Sequence, residues 1–164
     1  MDDFNKVLVV MGVSGTGKST IGKMLSSVLG IPFYDGDDFH PEANVKKMSA
    51  GQPLNDDDRQ GWLERLNALA IEHQSQGVII ACSALKQRYR RLLQSNMGEQ
   101  MQFIYLEGSS KLIKSRLENR KAHFMPLELL KSQFDTLEPP TNAIEVSIAL
   151  SPEEIVKRIT AQLS

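Results

Sequence analysis

Apolar residues along the chain occur in two spacings that alternate from one end to the other. Short runs of aliphatic and β-branched residues, such as VLVVM at residues 7–11, predict strands that are buried on both faces. Between these runs, apolar residues recur every three or four positions, which is typical of helices with one face on a core. The strands are predicted at residues 7–11, 31–34, 78–82, 102–106 and 144–150.

Helices are predicted between the strands and after the last of them. The first ends at Gly30, with Pro32 just beyond, and the last begins at Ser151, followed by Pro152 and Glu154 in the pattern of a capping box. The predicted helices cover residues 18–29, 41–49, 56–74, 85–94, 109–120, 124–137 and a segment from 152 onwards. This alternation predicts a single α/β domain, residues 1–164, with a mostly parallel sheet and helices on both faces.

Composition narrows the possible functions. The 164 residues carry 19 basic and 20 acidic side chains, so the chain lacks the basic surface expected of a protein that binds nucleic acid or an anionic membrane. Its single cysteine excludes an intrachain disulfide and a cysteine-based zinc site. Because it has no run of about 18 apolar residues and no signal-peptide pattern, we expect it to act in the cytoplasm.

The strongest motif follows the first predicted strand directly. Residues 12–19 (GVSGTGKS) match G-x-x-x-x-G-K-S/T and lie between a buried strand and a helix, where a phosphate-binding loop is found. In such a loop the glycines let backbone N–H groups turn towards phosphate oxygens, Lys18 reaches the β- and γ-phosphates, and the Ser19 hydroxyl is a Mg²⁺ ligand. The motif therefore predicts binding of a nucleoside triphosphate.

Two classes of protein use such a loop, namely kinases that act on a small acceptor and nucleotide-dependent switches. A GTPase-type switch should carry the guanine-reading N/T-K-x-D sequence after a late strand, and the chain has none. A D-x-x-G sequence does occur, at residues 58–61, but it lies within a predicted helix and not at a strand end. The sequence therefore favours a small-molecule kinase.

An acidic cluster ends the second predicted strand, in the sequence FYDGDDFHP at residues 33–41. Ligands of a parallel sheet bind beyond the carboxyl ends of its strands, so Asp35 and Asp37 are expected beside the phosphate loop. Asp37 is the candidate base that orients and deprotonates the acceptor hydroxyl, and Asp35 is expected in the outer sphere of a metal held by Ser19. A solvated turn before a helix is the alternative for both aspartates.

Basic residues after the third predicted strand and in the 56–74 helix are candidates to hold an anionic acceptor, such as a carboxylate. Lys86 and Arg90 lie one helical turn apart, and Arg59 precedes a tryptophan in LNDDDRQGW. For Lys86 the alternative is a solvated helix face. For His40, a hydrogen bond that orders its own loop is as compatible with the sequence as a substrate contact.

Two further arginines, Arg116 and Arg120, share one face of the 109–120 helix. This spacing lets them reach across phosphates and stabilise the charge that develops during transfer, as the residues of a lid do. Surface pairing with Glu118 is the alternative.

Several stretches together resemble the bacterial-type gluconokinases over nearly the whole chain. They are MGVSGTGKST, DGDDFHP, NVKKMSAGQPLNDDDRQGWL, CSALKQRYR, FIYLEG and RKAHF. The resemblance implies ATP-dependent, Mg²⁺-requiring phosphorylation of D-gluconate at its 6-hydroxyl. It also implies a three-layer P-loop fold like that of the nucleoside monophosphate kinases, with strand order 2-3-1-4-5, a small lid at about residues 117–137, and a homodimer.

The motifs and the resemblance together define the candidate site residues. Catalysis is assigned to Lys18, Asp37 and Arg120. ATP is assigned to Gly12, Val13, Ser14, Gly15, Thr16, Gly17, Lys18, Ser19, Thr20, Arg116 and Arg120. Gluconate is assigned to Asp37, His40, Arg59, Lys86, Arg90 and His123, and Mg²⁺ to Ser19 with Asp35 behind it. The rival is another kinase of this fold that acts on shikimate or a nucleoside monophosphate.

Overall fold

Five parallel strands form one sheet in the computed structural model, which describes residues 6–118 and 127–163. The order β2-β3-β1-β4-β5 confirms the order that the family resemblance implies. The strands are β1 (Val7–Met11), β2 (Phe33–Asp35), β3 (Val78–Ala81), β4 (Met101–Glu107) and β5 (Ile144–Ser147). The helices that flank them are α1 (Lys18–Leu29), α2 (Glu42–Ser49), α3 (Asp56–Glu72), α4 (Gln87–Gln94), α5 (Ser110–Glu118), α6 (Leu127–Thr136) and α7 (Pro152–Gln162).

The centre of the sheet is β1, and all five of its residues are fully buried. Val9 aligns with Ile80 of β3 on one side and with Phe103 of β4 on the other. A strand that is paired on both edges and covered on both faces has little freedom to shift, because every displacement breaks hydrogen bonds or exposes apolar surface. The sheet therefore holds the carboxyl end of β1, where the phosphate-binding loop starts, in a fixed place.

Side-chain caps set where two of the helices begin. Asn55 and Asp58 form a full capping box at the start of α3, since each accepts a hydrogen bond from the backbone N–H of the other. At the start of α7, Ser151 accepts from the Glu154 N–H as predicted. The Glu154 carboxylate contacts Arg158 instead, so the capping box predicted there is only half formed.

Some predicted boundaries are wrong by two or three residues. Helix α4 begins at Gln87 and not at residue 85, because Ala84 has a φ of 45° and Lys86 is still extended. Strand β2 begins at Phe33 and not at residue 31, and β5 ends at Ser147 because the next residues form a turn. None of the helices in the described part of the chain combines the length and apolar character needed to cross a bilayer.

Candidate active site

The phosphate-binding loop, residues 12–19, joins the carboxyl end of β1 to the first turn of α1. Gly12 has a φ of 145°, and a Cβ at this position would lie 2.8 Å from the Leu106 carbonyl oxygen. Gly17, with a φ of 90°, caps α1 in the left-handed region. Only glycine adopts these conformations without strain, so the path of the loop depends on both residues. The Thr16 hydroxyl adds an internal bond of 3.0 Å to the Val13 carbonyl.

Lys18 lies across this loop. Its Nζ donates to the carbonyl oxygens of Gly12 at 2.9 Å and Val13 at 3.0 Å. Burial lowers the pKa of Lys18, while the nearby Asp37 carboxylate acts in the opposite direction. The ammonium group is therefore held beside the loop, where an anion would relieve the cost of its burial.

Ser19 and Asp35 form the pair that the sequence predicts at the metal site. The Ser19 hydroxyl donates to Asp35 Oδ2 at 2.7 Å, and Asp35 Oδ1 accepts from the Asp37 N–H at 3.0 Å. Both side chains offer oxygen, the ligand that Mg²⁺ prefers. Within residues 6–118 and 127–163, no group of three or more His, Cys, Asp and Glu side chains is arranged to hold a metal. The pair therefore fits a Mg²⁺ ion that takes its remaining ligands from phosphate and water.

Asp37 sits in a short 3₁₀ turn, Gly36–Phe39, that follows β2. The turn packs closely on β3, because a Cβ on Gly36 would lie 2.4 Å from the Ala81 carbonyl oxygen. The Asp37 side chain is 79% exposed and lines a cavity beside the phosphate loop. These surroundings raise its pKa, the Asp35 charge raises it further, and Lys18 opposes both effects.

One cavity of about 260 Å³ opens beside the loop and brings together residues from distant parts of the chain. Arg59 reaches it from α3 and is 9% exposed, with its guanidinium 5.1 Å from the centre of the Tyr89 ring. In the described part of the chain, Arg59 Nε is a buried donor with no hydrogen-bond partner. The cavity is lined by Ser14, Lys18, Asp37, His40, Met48, Gln52, Pro53, Leu54, Arg59, Trp62, Ser83, Leu129, Ser132 and Gln133.

His40 forms part of the cavity wall beside Asp37. Its ring stacks on Trp62 at 3.9 Å, and its side chain is only 3% exposed. Burial and the positive charge of Arg59 lower the pKa of His40 to about 4, so the imidazole is neutral at pH 7. Asn44 Nδ2 lies 3.2 Å from Nδ1 and also donates to the Asp58 carbonyl, which makes Nδ1 the acceptor. The proton is then on Nε2, 3.7 Å from Asp37 Oδ1.

Two predicted acceptor-binding residues lie outside this cavity. Lys86 donates to Asp56 Oδ1 at 3.0 Å, and Tyr89 and Arg88 bind the same carboxylate. Arg90 is buried and donates to the carbonyl oxygens of Ala84 and Glu138, at 2.7 and 2.8 Å. Of the basic residues proposed for the acceptor, the structure brings Arg59 to the cavity and places Lys86 and Arg90 in contacts that join α4 to neighbouring segments.

A second depression, of about 360 Å³, lies on the other side of the phosphate loop. Arg116 of α5 contributes to it, and the guanidinium also donates to the Ile148 carbonyl. The lining residues are Thr16, Gly17, Thr20, Ile21, Arg116, Leu150, Pro152 and Ile155. Arg120 and His123 lie outside the described residues, as does part of the predicted lid.

Sequence reasoning missed Gln133, which contacts the phosphate loop from α6. Its Oε1 accepts from the Ser14 N–H at 2.7 Å, and its Nε2 donates to Ser14 Oγ at 3.1 Å. A neutral amide in an amphipathic helix carries no charge pattern or motif that would reveal such a contact. The sequence also gives no sign of the contact made by Trp62, whose Nε1 donates to the Gly36 carbonyl at 2.8 Å and so supports the turn that carries Asp37.

Comparison with known proteins shows what the chain is similar to. The profile of the shikimate kinase family matches residues 14–163. The chain is 43% identical to the thermoresistant gluconokinase of Escherichia coli (92% of this chain, 89% of that protein) and 44% identical to a probable gluconokinase of Mus musculus (96% and 97%). A crystal structure of a gluconokinase from Sinorhizobium meliloti superposes with a TM-score of 0.90 at 39% identity, covering 98% of this chain and 92% of that one.

Proposed function

The chain belongs to the gluconokinase family, and we propose that it transfers the γ-phosphoryl group of ATP to the 6-hydroxyl of D-gluconate. The products are 6-phospho-D-gluconate and ADP. Both the sequence motifs and the relatives' identity support this reaction over phosphorylation of shikimate, although the shikimate kinase profile also matches. A shikimate kinase structure from Aquifex aeolicus is only 23% identical, so that likeness concerns the fold alone.

One observation carries the proposal: Lys18, Asp37 and Arg59 line the same cavity. Gluconate has a carboxylate at one end and the reacting hydroxyl at the other, so its acceptor site needs a cation and a base at separate places. Arg59 meets the first need, because its guanidinium is a cation whose planar geometry suits pairing with a carboxylate. Asp37 meets the second, since it lies next to the loop that would hold the transferred phosphate.

Asp37 orients the 6-hydroxyl towards the phosphate and accepts its proton as the new P–O bond forms. Its raised pKa makes the carboxylate a stronger base than an ordinary aspartate. His40 is neutral and lies beside this carboxylate, with its Nε2 3.7 Å from Asp37 Oδ1. Lys18 supplies positive charge where negative charge develops on the transferred group.

In this proposal the nucleotide lies along the phosphate loop, residues 12–19, with its base at the depression that Arg116 and Pro152 line. Ser19 would hold Mg²⁺ and Asp35 would support it through the Ser19 hydroxyl. When bound, the ion neutralises charge on the phosphate oxygens. The sequence also assigned Arg120 to this step and His123 to the acceptor, and both remain proposals.

The direct test is an ADP-release assay with gluconate, shikimate, glucose and nucleoside monophosphates as acceptors. We expect gluconate to be preferred by kcat/KM at least about 100-fold, because a site built to pair polar groups rejects acceptors that leave them unpaired. ³¹P NMR of the product should show a phosphomonoester on the terminal CH₂ group of gluconate. Preference for shikimate would contradict the proposal and support its rival.

Two further features remain proposals, namely a homodimer, which the family resemblance implies, and a cytoplasmic location, which we expect from the sequence pattern. Analytical ultracentrifugation of the purified protein tests the first, with a single species of twice the chain mass of 18.3 kDa as the expected result. Cell fractionation tests the second. A reducing location is compatible with Cys82, which is buried and has its pKa raised to about 12 by that burial.

A further inference from the structure

Gln133 connects two parts of the site that are 119 residues apart in the chain. Its carboxamide binds Ser14 twice, through Oε1 to the backbone N–H and through Nε2 to the side-chain Oγ. One hydrogen bond would leave the two groups free to rotate about each other. Two bonds from one planar amide fix both their distance and their orientation.

The two residues belong to opposite functional parts of the cavity. Ser14 lies in the phosphate-binding loop, two residues after its first glycine. Gln133 lies on α6, and the same helix lines the cavity through Leu129 and Ser132. The amide pair therefore joins the loop that would hold the phosphate to the wall that the acceptor would touch.

We propose that Gln133 is a positioning residue. Its carboxamide fixes the position of α6, which forms one wall of the cavity where the acceptor would bind, relative to the phosphate loop. This inference rests on the proposed function. The amide supplies neither charge nor a proton to the reaction. It sets where the acceptor hydroxyl lies relative to the γ-phosphate, and transfer rates depend steeply on that distance, because a misplacement of about 1 Å costs on the order of 100-fold.

A specific consequence separates this role from a contribution to stability alone. When the wall is no longer held against the loop, ATP still binds and gluconate still meets Arg59 and Asp37, but the hydroxyl is misaligned. Water then competes as the acceptor, and ATP is hydrolysed to ADP and inorganic phosphate without forming a phosphate ester. The ratio of ADP to 6-phosphogluconate should therefore rise above one.

The test uses Gln133→Met, which keeps the length of the side chain and removes both hydrogen bonds. We expect kcat for gluconate to fall about 10- to 100-fold, KM for ATP to change less than about 3-fold, and the ratio of ADP to 6-phosphogluconate to reach about two or more. Lys131→Met is the matched control, since it places methionine at an exposed position of the same helix that does not line the cavity, and it leaves the Ser14 contact intact. This control should stay within about 2-fold of wild type on all three measures.

Three results would overturn the inference, and the third would overturn the proposed function as well. Wild-type kcat and a ratio of one for Gln133→Met would overturn the inference, because the hydrogen bonds would then not position the acceptor. Loss of ATP binding in Gln133→Met would also overturn it, by placing Gln133 in the nucleotide site. A wild-type enzyme that does not phosphorylate gluconate would overturn the proposed function and the inference together.

Discussion

The phosphate loop and the acceptor cavity touch each other, yet they are built in different ways. The loop is made of consecutive residues, and its internal bonds span six residues or fewer, as between Lys18 and Gly12. The cavity draws on α1, the turn after β2, α3 and α6, and its supporting bonds span 26 residues between Trp62 and Gly36 and 119 between Gln133 and Ser14.

This difference decides what a substitution does. In the loop, we expect a side chain to act directly on the ligand, so its removal should affect chemistry and leave the fold intact. In the cavity, we expect several residues to act through the position of another residue. A substitution there should separate binding of one substrate from the other or change stability.

The loop is tested most severely by Lys18→Ala. We expect kcat to fall at least about 1,000-fold, because the variant loses the positive charge next to the transferred group and no other side chain in the described loop carries one. Lys23→Ala, on the exposed face of the same helix, is the control and should be close to wild type. Steady-state kinetics with gluconate and ATP measure kcat for both variants. Retention of more than a tenth of kcat would contradict the assignment of the loop.

Asp37→Asn tests the point where the loop and the cavity meet. It keeps the shape of the side chain and removes its charge, and general-base assistance is typically worth about 10²- to 10⁴-fold. In a loose transition state the proton leaves late, so we expect a loss of kcat in the lower half of that range, with ATP still bound.

Asp38→Asn is the control for this variant, because Asp38 is the same residue type one position along in the same turn and does not line the cavity. It should lose less than about 3-fold. If Asp38→Asn were the more damaging change, the base would be misassigned by one residue. The pH profile adds a second check: the raised pKa of Asp37 should place the acid limb of kcat/KM above the range of an ordinary aspartate, and Asp37→Asn should remove that limb.

Arg59 and Lys86 test the assignment of the cavity, because the sequence alone could not decide which of the two binds the carboxylate of gluconate. Arg59→Ala should raise KM for gluconate about 10- to 100-fold, since a charge-assisted hydrogen bond is worth about 1.5–3 kcal/mol. KM for ATP should change little. Lys86→Ala should change KM for gluconate less than about 3-fold, because Lys86 is engaged by Asp56. A larger effect for Lys86 than for Arg59 would place the carboxylate of gluconate outside this cavity, beside Lys86.

Of these substitutions, His40→Gln is expected to affect activity least. Its main effect should be on how the free energy of unfolding depends on pH. The pKa of His40 is about 4 in the folded protein and about 6.5 when unfolded. The unfolded chain therefore binds a proton first as the pH falls, and the folded state loses stability between about pH 6.5 and pH 4. The loss should reach about 3 kcal/mol. Urea unfolding at pH 7 and pH 4 should show this loss in wild type and not in His40→Gln. Equal losses in both would contradict it.

The features that the sequence predicts well are those whose structure depends on residues close together in the chain. The strand, loop and helix around Lys18 are observed where predicted, because buried aliphatic runs and glycine turns act locally. The Ser19–Asp35 contact was also anticipated, since the carboxyl ends of β1 and β2 lie at the same edge of a parallel sheet.

The remaining features depend on partners that are far away in the chain. Nothing in the sequence near Lys86 indicates that its ammonium group pairs with the carboxylate of Asp56, 30 residues earlier. Arg90 binds the Ala84 carbonyl because the backbone at Ala84 turns into the left-handed region, which is unusual for alanine and therefore not expected from the sequence. The Gln133 contact depends on how α6 packs, and residue type alone does not specify that packing.

The central position of β1 also has a consequence during protein synthesis. Its two edges are covered by β3 and β4, which are completed only at residues 81 and 107. At about 5–20 residues per second, a nascent chain keeps one edge of this apolar strand unpaired for on the order of ten seconds. Unpaired apolar edges are sites of aggregation and of chaperone binding. The same strand that holds the phosphate loop most firmly in the finished enzyme is therefore the one most in need of protection on the ribosome.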